Sequence, residues 1–257
     1  MKCSECNKDI LPVVAIDIDG TLGNYHSHFL EFAEAYTGRK LETNDTWYHP
    51  WHYKYDGSIG FKEWFIENFE TTEEEWKDIK LAYRQGAQKR SMPVYPGADQ
   101  FIAQVKFGIK VELWLTTTRP YQRMDNIDPD TRAWLERNNI RYDGLLYDEL
   151  KFQSLVKIVD PARVVAVVDD LPEMLEEGAR LFGTVGDLPV PIMRCSGYNK
   201  GAVVGPGISE GKGWEDIRMQ IRDRAMKWKE LQGVDQQDAA VPHSGAGHSL
   251  SRDGGRD

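Results

Sequence analysis

Short apolar runs that stop abruptly at acidic or hydroxyl residues recur along the chain. Val13-Val14-Ala15-Ile16 runs into Asp17-Ile18-Asp19-Gly20, and Val111-Glu112-Leu113-Trp114-Leu115 into Thr116-Thr117-Thr118-Arg119. Gly144-Leu145-Leu146-Tyr147 ends at Asp148, and Val164-Val165-Ala166-Val167-Val168 at Asp169-Asp170. Such short, largely β-branched runs predict strands buried on both faces, with 190–193 as a fifth candidate. Between them, apolar residues three or four apart predict helices over 97–107, 129–138, 150–158 and 171–181. Alternating strands and helices imply an α/β fold with a parallel sheet covered on both faces. Chemistry in such sheets gathers at the carboxyl ends of the strands. Here that edge would carry Asp17, Asp19, the threonines around Thr117, and Asp169-Asp170.

The alternation breaks between 24 and 93. That interval holds helical patterns over 25–38, 60–69 and 72–88, and an aromatic loop containing Trp47 and Trp51, punctuated by Pro50 and Gly57. It reads as a helical cap inserted after the first strand. A last amphipathic helix is predicted over 213–231, and the polar, Gly- and Ser-rich tail over 233–257 is predicted to be disordered. The expected organisation is therefore a Cys-x-x-Cys segment (1–10), a core (11–23 and 94–232), the cap (24–93) and the tail.

Composition narrows the classes. The 257 residues carry a net charge of −9, which argues against a protein built to coat a polyanion. The chain starts without an apolar leader-type run and contains no stretch near the roughly 18 apolar residues of a membrane span, so a cytoplasmic protein without membrane contact is expected. Three cysteines make a disulfide framework implausible. Cys3 and Cys6 have zinc-knuckle spacing, but a tetrahedral site needs four ligands. Cys195 or a histidine among His26, His28, His49 and His52 would have to complete it, or two chains would share the metal as a homodimer. The pair reads first as unliganded thiols.

Asp17 and Asp19 stand two apart on a strand end and so point toward one cleft. One carboxylate can attack phosphorus while the other moves protons for the leaving oxygen and the incoming water. Their joint charge would repel a phosphate unless a hard cation intervened, and magnesium prefers such oxygen ligands. Asp169 or Asp170 can add a ligand, Lys151 a counter-charge, and Thr117 a hydroxyl for a phosphoryl oxygen. Each piece alone has a bland reading as a turn, a helix cap or a solvated residue. Their order, each beside a predicted strand, carries the catalytic reading.

These residues resemble the haloacid dehalogenase-like (HAD) superfamily. Asp17-Ile18-Asp19-Gly20-Thr21-Leu22 looks like its first motif, Thr117-Thr118-Arg119 its second, Lys151 its third and Val168-Asp169-Asp170 its fourth. The resemblance covers roughly 11–195. It implies a Rossmann-like three-layer core of strand order 5-4-1-2-3, Asp17 as nucleophile and Asp19 as acid/base. Magnesium would be held by Asp17, the Asp19 carbonyl and Asp169, with Asp170 orienting a ligand or Lys151. Thr116, Thr117 and Thr118 compete for the second-motif role, and the Thr-x-Arg spacing favours Thr117.

A cap in this place is similar to that of the 5′(3′)-deoxyribonucleotidase branch, which puts an aromatic ring eight positions after the nucleophile. Tyr25 stands there, with Trp47, Trp51 or Tyr53 available as the opposing surface, so a nucleotide is the expected small phosphorylated substrate. The departure is basic: Arg119 and Arg123 follow the second motif, and Lys89-Arg90 precede the core's return. With Thr118 and Arg119 as substrate contacts, an additional phosphate could be held, as a polynucleotide 3′-phosphatase acting on nucleic-acid ends requires. Lys151 lies eighteen residues before Asp169, as in that group. No P-loop accompanies it, which argues against a kinase half. The reading from another class is a catalytically silent binding module on the same scaffold, which would be expected to have lost some of the acidic set.

Overall fold

The computed structural model describes residues 10–43, 53–54, 57–119, 124–199, 202 and 204–233. Cys3, Cys6, Trp47, His49, Trp51, His52, Arg123 and the tail from 234 lie outside the described residues.

The chain enters on β1 (Val13–Asp17), all of it buried, as a run of apolar residues between two covered faces requires. Among the described residues three helices follow: α1 (Tyr25–Thr37), α2 (Phe61–Asn68) and α3 (Glu73–Gln85). Thr72 caps α3 with a capping box, its Oγ1 accepting from the Glu75 amide at 3.2 Å while the Glu75 carboxylate accepts from the Thr72 amide at 2.9 Å. The helical pattern expected to reach 88 stops at Gln85, where Gly86 caps and Ala87 takes a left-handed conformation (φ 55°). One 3-10 turn, Gln88–Arg90, then turns the chain back.

The remaining elements alternate. They are α4 (Ala98–Ala103), continued by a π-helical segment to Lys110, then β2 (Glu112–Thr117), α5 (Ile127–Arg137), β3 (Gly144–Tyr147), α6 (Lys151–Leu155), β4 (Val164–Asp169) and α7 (Pro172–Phe182). A small hairpin of β5 (Thr184–Val185) and β6 (Leu188–Pro189) precedes β7 (Pro191–Arg194), β8 (Ser209–Gly211) and α8 (Trp214–Leu231).

The main sheet has six strands in the order β3-β2-β1-β4-β7-β8, every pair parallel. Read from β7, this is the expected 5-4-1-2-3 order, with β8 added outside the fifth strand. β1 lies between β2 and β4, with Asp17 beside Thr116 and Ile16 beside Val168. That register brings three strand ends, and their polar residues, to one edge.

Among the described residues two apolar clusters form. The larger joins the sheet to its flanking helices; the smaller is aromatic and belongs to the α1–α3 segment, with Phe29, Phe65, Phe69, Trp76 and Tyr83 buried together. Tyr198, from the loop after β7, is buried in that smaller cluster.

Candidate active site

Asp17 ends β1 and Asp169 ends β4, so strand pairing sets them side by side. Lys151, at the start of α6, is 1% exposed and reaches between them, its Nζ 2.6 Å from Asp17 Oδ1 and 2.5 Å from Asp169 Oδ2. Carboxylate oxygens of Asp17, Asp169 and Asp170, all buried, lie within 4.8 Å of one another. Burial pushes the Asp17 carboxyl up, the Lys151 ammonium pulls it back, and Asp169 and Asp170 push it up again, leaving it well above the usual range. Burial followed by the charge of Asp169 raises Asp170 to about 7. Burial works against the charge of Lys151, yet Asp169 and then Asp17 outweigh it and hold the ammonium above its ordinary range. A buried carboxylate trio sharing one ammonium is short of positive charge, which is costly in a low-dielectric interior. An all-oxygen donor set with surplus negative charge fits a hard divalent cation such as magnesium.

Asp170 is held from several sides. Its Oδ1 accepts from Thr21 Oγ1 at 3.0 Å, its Oδ2 from the Tyr198 hydroxyl, and its backbone carbonyl from Asn199 Nδ2 at 2.9 Å. Gly20 makes this packing possible. Its φ is +91°, and a Cβ there would meet Asp170 Oδ2 at 2.3 Å.

Asp19 faces a different set. Arg119 donates to it in a bidentate fork, Nε to Oδ2 at 2.8 Å and Nη2 to Oδ1 at 2.7 Å, while Lys89 Nζ sits 2.6 Å from Oδ1. Burial opposes ionisation of Asp19, but Arg119 and then Lys89 outweigh it and hold the carboxyl well below the usual range. Arg119 Nη1 also donates to Thr131 Oγ1 at 2.6 Å. The guanidinium expected on a substrate phosphate thus rests on Asp19, and Lys89 joins it from the turn after α3. Arg90 takes no part, since its Nε is bound to Asp130 at 2.6 Å.

The threonines separate by exposure. Thr116 is fully buried and its Oγ1 has no hydrogen-bond partner among the described residues; Thr117 is 1% exposed at the end of β2; Thr118 is exposed and lines a cavity.

That cavity, about 200 Å³, opens beside Asp19 and Asp170 under α3, with Tyr25, His26 and Tyr83 among its walls. Tyr25 does not offer a bare face to it, because Lys89 Nζ stands 4.0 Å from its ring centroid and Phe29 stacks obliquely at 5.7 Å. Burial pushes the His26 ring down to about 3, so it is neutral. Lys80 and Arg84 of α3 also line the cavity, and the sequence singled out neither, because a basic pair one turn apart reads as a solvated helix face. Tyr198 is equally unmarked, since nothing in its neighbourhood of Gly, Ser and Asn distinguishes a tyrosine that reaches the acidic centre.

No protein-family model matches the sequence, and no curated protein matches it. Solved structures do share the fold. A predicted phosphatase from Clostridium acetobutylicum is 14% identical with TM-score 0.54, over 84% of this chain and all (100%) of that one. The HAD-type protein YfnB of Bacillus subtilis, solved bound to magnesium, is 12% identical with TM-score 0.52, over 83% and 99%. A HAD-superfamily hydrolase from Geobacter sulfurreducens is 15% identical with TM-score 0.51, over 82% and 96%. The chain therefore has the Rossmann-like fold of HAD-type hydrolases. Among its described residues no helix is long and apolar enough to cross a membrane.

Proposed function

We propose that the protein is a magnesium-dependent phosphomonoester hydrolase working through an aspartyl phosphate on Asp17. The observation that carries this reading is the buried trio of Asp17, Asp169 and Asp170 with Lys151 between the first two. Solved structures of the same fold include a predicted phosphatase and a magnesium-bound protein, which supports the same chemistry.

Asp17 attacks phosphorus with a carboxylate oxygen, and the P–O bond to the alcohol breaks. Lys151, 2.6 Å from Asp17 Oδ1, holds that carboxylate in place and offsets its charge. Asp19 gives the proton that the leaving alkoxide takes, then removes one from the water that attacks phosphorus and frees Asp17. In the resting protein Asp19 is ionised on Arg119 and Lys89; an entering phosphate competes for those two donors, and the carboxylate so released takes from the monoanionic ester or from solvent the proton it then gives to the leaving oxygen. Thr117, at the end of β2, is the hydroxyl assigned to a phosphoryl oxygen. Magnesium, held by Asp17 and Asp169 with Asp170 beside them and the Asp19 carbonyl as the expected further ligand, would supply the charge that lets an anionic ester approach these carboxylates.

The substrate is a small phosphorylated compound. A nucleotide, expected from Tyr25, draws less support from the geometry, since Lys89 occupies the ring face that a base would stack on. No observation favours the polynucleotide-end reading, and Arg90, one of the cations cited for it, is pinned to Asp130.

Turnover of p-nitrophenyl phosphate with magnesium tests the mechanism. Asp17→Asn should lower kcat by at least about a thousandfold, and chelator should abolish wild-type turnover. Retained turnover in the variant would overturn the nucleophile assignment. Because Lys151 keeps Asp169, the variant should unfold no earlier than the wild type, which separates lost chemistry from lost fold.

A further inference from the structure

The cavity beside Asp19 carries more positive charge than the reaction at Asp17 uses. Four cations line it: Lys80, Arg84, Lys89 and Arg119. Lys89 and Arg119 are engaged by Asp19. Among the described residues neither the Lys80 nor the Arg84 side chain has an ion pair or hydrogen bond; the Lys80 ammonium stands 5.1 Å from the Trp76 ring and feels Asp19 only at longer range. They stand four apart on α3, so they face the cavity together one helical turn from each other. Like charges at that spacing destabilise a helix, and here both are half-buried. Burial, then the charge of Arg84, pushes Lys80 down to about 8. Such an arrangement costs stability unless an anion completes it.

We propose that Lys80 and Arg84 form a subsite for a second phosphate group, so that the substrate is a compact bisphosphorylated molecule whose other phosphate is cleaved at Asp17. The inference rests on the phosphatase reading for the reaction and deepens it by naming the substrate class. A phosphate dianion matches two cations in charge, and the guanidinium fork beside an ammonium matches its oxygens. Size points the same way. The cavity's 200 Å³ is below the roughly 300–1,000 Å³ of pockets that enclose drug-sized ligands, which suits a compact molecule more than the end of an oligonucleotide. Polar walls from Thr118 and His26 accompany the apolar Ile127 and Leu171, as a hydroxylated carbon chain would need.

Two measurements on the full-length protein test this. In the first, kcat/KM is compared for fructose 1,6-bisphosphate and fructose 6-phosphate, in wild type and in the double variant Lys80→Gln with Arg84→Gln. The wild type should prefer the bisphosphate by about tenfold or more, and the double variant should bring the two substrates to near parity. Equal loss on both esters, or no preference in the wild type, would overturn the subsite. A 3′-phosphorylated dinucleotide forms a third arm, and its preference over the sugar bisphosphate would overturn the assignment to a compact substrate.

The second measurement separates this proposal from the reaction it rests on. Calorimetric binding of the two sugar phosphates to Asp17→Asn needs no turnover. Tighter binding of the bisphosphate, lost when Lys80→Gln and Arg84→Gln are added, supports the subsite even if no ester is hydrolysed. Hydrolysis of monoesters with equal binding of both ligands leaves the phosphatase standing and removes the subsite.

Discussion

Lys151 is the cation that two buried carboxylates share, and its environment decides what its loss would do. Asp17 and Asp169 would remain beside each other with no counter-charge between them. Removing one member of a buried ion-paired set typically costs about 3–5 kcal/mol, because the partners' charge stays buried. Lys151→Met should therefore lower the urea midpoint by a corresponding amount when measured in chelator, and magnesium should restore part of it by replacing the missing charge. An unchanged midpoint would mean that the lysine is dispensable to the trio, against the geometry. At this scale the sequence was most legible: Asp17, Lys151, Asp169 and Asp170 fell together as their order along the strands implied. The partners of Asp19 were harder to read. Lys89 and Arg119 lie 70 and 100 positions away, and nothing local to either says that it will turn inward onto a carboxylate instead of outward to solvent.

Elements differ in how much of their fate is local. β1, β2 and β4 are apolar enough along their length to be read as strands, and their order follows from alternation with helices. β8 is three residues long with one of them buried, a pattern too short to carry a period, and it becomes a strand only because β7 offers an edge. The helix at 72–88 ended early for a local reason, the glycine at 86 followed by left-handed Ala87, and that break is what lets Lys89 swing back to Asp19. The loop after β7 shows an effect between elements. Tyr198 sits among the aromatic residues of the α1–α3 segment, 4.6 Å from the His26 ring, and its hydroxyl donates to Asp170. It is a positioning residue that ties those helices to the acidic centre. Tyr198→Phe keeps the ring and removes the donor, so the half-saturating magnesium concentration for turnover should rise about tenfold, as loss of a group supporting a metal ligand does. The substrate KM at saturating magnesium should stay within twofold, and a rise in KM with the magnesium requirement unchanged would assign Tyr198 to the packing of α1–α3 alone.

At the scale of the whole molecule, the half-buried cations of α3 link stability, pH and ligand. Lys80 has Trp76 and Arg84 on its own helix, Lys62 facing it from α2 and Asp19 from the loop after β1, and burial with the charge of Arg84 brings it from 10.5 to about 8. Between those two values the unfolded chain binds a proton that the folded protein has released. Stability therefore rises with pH through this window, the sign expected wherever the unfolded state holds more protons. A bound phosphate reverses the preference, since it favours the ammonium and opposes deprotonation. Two thermal-melt series, at pH 7 and pH 9.5, should show it. Without ligand, the wild type should gain Tm relative to Lys80→Gln on going to the higher pH, because the variant lacks the group that titrates. With fructose 1,6-bisphosphate at a fixed concentration, ligand-induced stabilisation of the wild type should shrink at the higher pH, where Lys80 is neutral, and the variant should show a smaller change. Parallel behaviour of wild type and variant in both series would mean that Lys80 titrates in the folded protein as it does in the unfolded chain, and that α3 presents the solvated basic face its sequence suggests.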